Sequence, residues 1–173
     1  MTDIAGSDGA KLVGLEHRLK TVDSLTDKLT RQAGTRAGGT ADEMVAAEAR
    51  GIRDTLRYTI QSDDARYRAT FEATRSEMEA RGFSLQKVSN TWAEPGSLQA
   101  GPYRGINTQW TTPDGHPFEL QFHTAESFKV KMETHAMYEE FRNANTSAAR
   151  RLELNRIMTE MSDRIPVPKG AIW

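Results

Sequence analysis

Apolar and polar residues alternate most regularly between 103 and 124, where the chain reads YRGINTQWTTPDGHPFELQFHT. Phe118, Leu120 and Phe122 fall on one side of a strand, and Glu119, Gln121 and His123 on the other. Upstream, Ile106, Thr108 and Trp110 share a face, while Tyr103, Gly105, Asn107 and Gln109 share the opposite one. Pro113-Asp114-Gly115 supplies turn chemistry between the runs, so the pattern predicts a hairpin. Its apolar face suits a core. Its polar face carries a carboxylate, amides, an imidazole and a phenol, where a merely wetted face carries Lys, Thr and Ser.

Elsewhere the spacing is mostly helical. Tyr67, Phe71, Thr74 and Met78 make a 4-3-4 stripe that predicts a helix over 62–81, stopped at Gly82. A second helix is predicted over 125–142, with His135 and Tyr138 one turn apart and Glu133 near them. Ser147 caps a last helix, over 147–165, with Leu154, Met158, Met161 and Ile165 as its stripe and Pro166 and Pro168 as its stop. Runs of β type occupy 51–60 and 83–90. In the first of these, Ile52, Leu56, Tyr58 and Ile60 share a face with Asp54. An extended entry through Arg18-Leu19-Lys20 leads into a helix over about 22–32, with Thr21 as its N-cap. Residues 33–40 and 91–102 read as loops, and 1–12 as a flexible N-terminal segment before a single domain over 13–173.

Composition narrows the class. A chain of 173 residues suits one domain that buries about 70% of its unfolded surface. Lys and Arg number 23 against 24 Asp and Glu, so net charge gives no general pull toward nucleic acid or membrane. The absence of cysteine removes disulfides, thiolate zinc sites and cysteine nucleophiles together. No apolar run is long enough to span a bilayer.

Two further groups carry candidate chemistry. Arg18 and Lys20 share a strand face, and Ser24 and Lys28 lie one helical turn apart, so all four can converge where a helix N-terminus favours an anion. A solvated basic face fits the same residues equally well. Asp54, on an apolar face, needs a metal or a cationic partner, and Arg53 or Arg57 would serve as the latter.

Taken together these pieces resemble the synthetase domain of the RelA/SpoT superfamily, from about Glu16 to Arg142. The resemblance is carried by Arg18-x-Lys20-x3-Ser24-x3-Lys28, by Asp54, by Tyr103-Arg104-Gly105-Ile106-Asn107, by Glu119-Leu120-Gln121-Phe122-His123-Thr124, and by His135 on the helix that follows. It implies an α+β fold with a mixed sheet of about five strands flanked by helices, of nucleotidyltransferase-like type. It further implies transfer of pyrophosphate from ATP to the ribose 3′-hydroxyl of a purine nucleotide, with Mg²⁺ as cofactor. On that resemblance Arg18, Lys20, Ser24 and Lys28 hold ATP, and Asp54 and Glu119 hold the metal. Asp54, Glu119 and Gln121 form the catalytic group, and Tyr103, Asn107, His123 and His135 face the acceptor. His135 fits helix packing as well as it fits ligand contact.

Alarmone synthetases commonly carry His at position 107, Arg at 123 and a D-x-x-G-x-R run where this chain has Asp54-Thr-Leu-Arg57-Tyr-Thr59. The versions in this chain look more like domains of polymorphic toxins and phage-associated proteins. The resemblance therefore implies a toxin or effector acting in the cytoplasm, delivered there as part of a secreted protein and matched by a cognate immunity protein. Two other readings stand beside it. One keeps the chemistry and moves the acceptor to the 3′ end of tRNA, with Arg50, Arg53, Arg57, Arg66 and Arg68 as a basic track. The other is an inactive nucleotide-binding or phage-associated module.

Overall fold

The computed structural model describes residues 10–19, 56–97 and 101–173. Five strands form one sheet in the order β1-β2-β5-β4-β3, with β1 at Lys11–Val13, β2 at Arg57–Gln61, β3 at Ser84–Asn90, β4 at Ile106–Thr111 and β5 at Pro117–His123. β2 and β5 run parallel and every other pair antiparallel. The sheet is therefore mixed, and with its flanking helices the fold is α+β, as the sequence implies.

The predicted hairpin is β4 and β5, in register from Ile106↔Phe122 to Thr111↔Pro117. Its turn closes through the Gly115 N–H donating to the Thr112 carbonyl at 2.9 Å. Gly115 has φ 90°, a left-handed conformation that a side chain would oppose. Phe118, Leu120, Phe122, Ile106 and Trp110 are all buried. They lie under α1 (Tyr67–Ala80), which buries Tyr67, Phe71, Thr74 and Met78, the whole predicted stripe. The Tyr67 hydroxyl donates to the Phe122 carbonyl at 2.7 Å and accepts the Ile106 N–H at 3.1 Å, so it pins the helix to both hairpin strands. α1 begins at Tyr67 rather than at 62, because residues 63–66 turn between β2 and the helix.

Three expectations are corrected in detail. The first strand is Lys11–Val13, paired with β2, so the sheet begins inside the segment assigned to a flexible N-terminus. Gly14, at φ 62°, then breaks the extended chain; a 3-10 turn follows at Leu15–His17 and Leu19 makes an isolated bridge to Leu56. The helix predicted over 125–142 is two, α2 (Ala125–Glu133) and α3 (His135–Arg142). Between them the Thr134 hydroxyl donates back to the Val130 carbonyl at 2.8 Å, a contact that bends helices. The last helix, α4 (Ala148–Ser162), is capped by Ser147 as expected but ends three residues before Ile165. Its C-terminal end holds the segment before β4, through Ser162 to the Pro102 carbonyl and through Asp163 to Arg104.

Candidate functional site

Alternation along β5 puts Glu119, Gln121 and His123 on the face away from α1. The parallel register sets Arg57, Thr59 and Gln61 of β2 beside them, in that order. On the other side β4 sets Gln109 beside Glu119 and Asn107 beside Gln121. One sheet face thus gathers a carboxylate, a guanidinium, an imidazole and several amides from three strands. The face is not open to water: Glu119 is 6% exposed, Gln121 4% and His123 0%.

An ionised carboxylate this buried requires donors. Glu119 Oε1 accepts from Arg57 Nε at 2.5 Å and from Gln121 Nε2 at 2.7 Å. Gln121 Oε1 in turn accepts from Lys131 Nζ at 2.5 Å. Lys131 comes from α2, whose start is fixed by a capping box between Thr124 and Ser127. Burial, then the neighbouring Arg57, lower the Lys131 ammonium from its ordinary 10.5 to about 8, against the pull of Glu119.

A second group adjoins the first. Tyr103 Oη and His123 Nε2 are 2.9 Å apart, and His123 Nδ1 and Ser127 Oγ are also 2.9 Å apart. Burial, and then Lys131, push the His123 imidazole well below its usual range, so it is neutral. Burial likewise raises the Tyr103 phenol well above its own, helped by Tyr67 and Glu119. Gly105 lets these rings close up, since a Cβ there would sit 2.9 Å from the Phe122 carbonyl oxygen and 3.0 Å from His123 Cε1.

Of the residues singled out in the sequence, Glu119, Gln121, Tyr103 and His123 meet in these two groups. Asn107 shares their sheet face, and its Oδ1 is buried without a hydrogen bond from any described residue. His135 is exposed at the first position of α3, outside both groups. Arg18 has an exposed side chain, and its carbonyl accepts the Arg57 N–H at 2.7 Å, which ties its segment to β2, the strand whose Arg57 pairs with Glu119. Lys20, Ser24, Lys28 and Asp54 lie outside the described residues.

Three members went unread as site residues: Arg57, weighed only as a partner of Asp54 or part of a basic track, Ser127 and Lys131. The signal for the last two was present. Thr124-x-x-Ser127 marks a helix start, and Lys131 follows Ser127 by one turn on the same side.

No group of three or more His, Asp, Glu or Cys able to hold a metal occurs among the described residues. Among those residues no helix is long and apolar enough to cross a membrane.

No protein-family model and no curated protein sequence matches the chain. Solved structures do. Small alarmone synthetase 1 from Bacillus subtilis, bound to its product pppGpp, aligns over 90% of this chain and 72% of its own with a TM-score of 0.55 and 16% identity. A GTP pyrophosphokinase family protein from Streptococcus pneumoniae aligns over 90% and 71%, at 0.54 and 13%. The Type VI effector Tas1, solved in complex with its immunity protein, aligns over 97% and 87%, at 0.54 and 18%.

Proposed function

We propose that this chain, which has the fold of a RelA/SpoT-like synthetase domain, is a pyrophosphokinase that moves the βγ-pyrophosphate of ATP onto the ribose 3′-hydroxyl of a purine nucleotide. The observation that carries the proposal is the buried Glu119 carboxylate, held by Arg57 and Gln121 with Lys131 behind it, on the sheet face opposite the core. Phosphoryl transfer asks a protein for positioning and charge more than for covalent chemistry. This face offers both.

In the reaction the acceptor 3′-oxygen bonds to the β-phosphorus of ATP, and the bond from that phosphorus to the α–β bridging oxygen breaks. AMP leaves with the bonding pair, and the proton of the 3′-hydroxyl passes to Glu119. Gln121 orients the carboxylate and the acceptor's ribose. Tyr103 stacks the acceptor base, its ring held by His123. Arg57 places positive charge beside the transferring group. Arg18, Lys20, Ser24 and Lys28 hold the ATP phosphates and base, with Asn107 on the acceptor side.

A magnesium ion fits this donor set. Mg²⁺ binds through one or two carboxylates and the substrate's own phosphates, so it needs no full cage of protein ligands. Glu119 would supply one hard oxygen and Asp54 the second. When bound, the ion neutralises charge on the polyphosphate. Likeness to Tas1 supports deployment as an effector with an immunity partner.

The test is incubation with labelled ATP and Mg²⁺, separately with GDP, GTP, AMP, ADP, ATP and tRNA. Label should pass to a purine nucleotide, and Glu119→Gln should lower the rate about 10²–10⁴-fold, the range for loss of a general base. Transfer to none of these acceptors, or an unimpaired Glu119→Gln, refutes the assignment; label on tRNA alone moves the acceptor.

A further inference from the structure

We propose that Lys131 is a positioning residue: it fixes the side-chain amide of Gln121 in one of its two orientations, and through it the carboxylate of Glu119. The inference rests on the function proposed above for its catalytic consequence, and on geometry alone for the contact itself.

An amide end is assigned by what faces it. An ammonium has only donors, so the Gln121 atom 2.5 Å from Lys131 Nζ must be the oxygen. A carboxylate oxygen only accepts, so the Gln121 atom 2.7 Å from Glu119 Oε1 must be the nitrogen. Both ends select the same orientation; rotating the amide by half a turn sets donor against donor and acceptor against acceptor. Glu119 Oε1 then has two fixed donors, Gln121 Nε2 and Arg57 Nε.

Lys131 is itself held. It lies one turn beyond Ser127, which belongs to the capping box of α2 and meets His123. Its ammonium is 5.4 Å from the centre of the Phe128 ring, a further restraint on the chain. Remove the lysine and, among the described residues, Gln121 keeps only the Glu119 contact. Its oxygen has lost its donor, and its nitrogen is no longer obliged to face the carboxylate. Arg57 still answers the charge of Glu119, so the fold need not suffer. The loss falls on orientation.

Lys131→Met, with Lys131→Arg as the conservative variant, tests this in the full chain. Two quantities are read. The first is the NMR signal of the Gln121 side-chain amide, identified by its loss in Gln121→Met. In the wild type one amide proton should lie downfield, where a carboxylate acceptor puts it; it should move in Lys131→Met and stay in Lys131→Arg. The second is steady-state kinetics with ATP and the acceptor that takes the label. Loss of a charge-assisted contact predicts a kcat lower by about 10–100-fold in Lys131→Met, with the KM for ATP within about threefold and Lys131→Arg recovering most of the rate. An amide signal unmoved in Lys131→Met overturns the proposal, as does a kcat within twofold of an active wild type. If the wild type transfers pyrophosphate to no acceptor, the proposed function falls, and the amide signal alone judges the contact. Lys131→Ala replaces the methionine variant if that one does not fold.

Discussion

Replacing Lys131 by methionine should change how stability responds to pH, and the size of the change follows from its surroundings. Burial and Arg57 bring the ammonium from 10.5 to about 8 in the folded protein. Between those two values the unfolded chain holds a proton on Lys131 that the folded chain does not. Unfolding then takes up a proton, so stability rises with pH by 1.36 kcal/mol per pH unit. This contribution is fully present above about 10.5 and is lost as the pH falls through about 8. The gap is worth at most about 3 kcal/mol, and partial solvent exposure trims it to about 2–3 kcal/mol. At neutral pH methionine removes the cost of burying a cation but leaves Gln121 Oε1 without its donor, a loss of about 1–3 kcal/mol. Those terms oppose, so the variant's stability at one pH decides nothing. The difference between wild type and variant across pH isolates the first term, because other titrating groups cancel. Urea unfolding at pH 7, 8, 9 and 10 measures it. The wild type should gain on Lys131→Met by about 2–3 kcal/mol from the low end to the high end. A flat difference, or one of opposite slope, would mean that Lys131 is not held beside Arg57 and Glu119 in a poorly solvated place.

Two other substitutions probe the frame of the site. Tyr67→Phe removes the hydroxyl that serves the Phe122 carbonyl and the Ile106 N–H, and urea midpoints should report a loss of about 1–3 kcal/mol; an unchanged midpoint would remove Tyr67 as the link between α1 and the hairpin. Gly105→Ala puts a Cβ 2.9 Å from the Phe122 carbonyl oxygen, 3.0 Å from His123 Cε1 and 3.2 Å from Tyr103 Cε1. It should cost about 1–3 kcal/mol and raise the KM for the acceptor more than that for ATP, whereas equal changes in both would disconnect Tyr103 from acceptor binding.

What the sequence made legible was local. The α1 stripe, the hairpin and the Gly115 turn each follow from spacing and turn chemistry within a few residues, and each is found where the pattern puts it. What it hid was set by register or by side-chain contact. Arg57 and Glu119 are 62 residues apart, and only the parallel pairing of β2 with β5 makes them neighbours. Lys131 meets Gln121 across ten residues, from a helix that begins at the capping box just after β5. The break at Thr134 depends on one hydroxyl turning back on its own helix, which apolar periodicity does not register. The polar face of β5 was legible as chemistry but not as buried chemistry, because the cation and phenol that cover it come from other elements. Lys20, Ser24, Lys28 and Asp54 fall outside the described residues, so the ATP side of the site stands on the sequence motif.

The departures from the alarmone-synthetase pattern at 57, 59 and 123 fall on this one sheet face. The pattern carries Gly and Arg at positions 57 and 59, and Arg at 123; this chain has Arg57, Thr59 and His123. Residues two apart on a strand share a face, so an arginine at 57 lies on the same side as one at 59, displaced by about 6.6 Å along the strand. In the register of β2 with β5 that displacement carries the guanidinium from beside Gln121 to beside Glu119. Position 123 carries a neutral imidazole, in contact with Tyr103 and Ser127. Lys131, from α2, puts a cation next to Gln121 instead. In this chain the positive charge on the face stands at the Glu119–Gln121 pair, supplied by Arg57 and Lys131. An anionic substrate group drawn to this face would meet Arg57 beside Glu119, and running the label-transfer assay with adenine and guanine nucleotides side by side tests which acceptor brings one there.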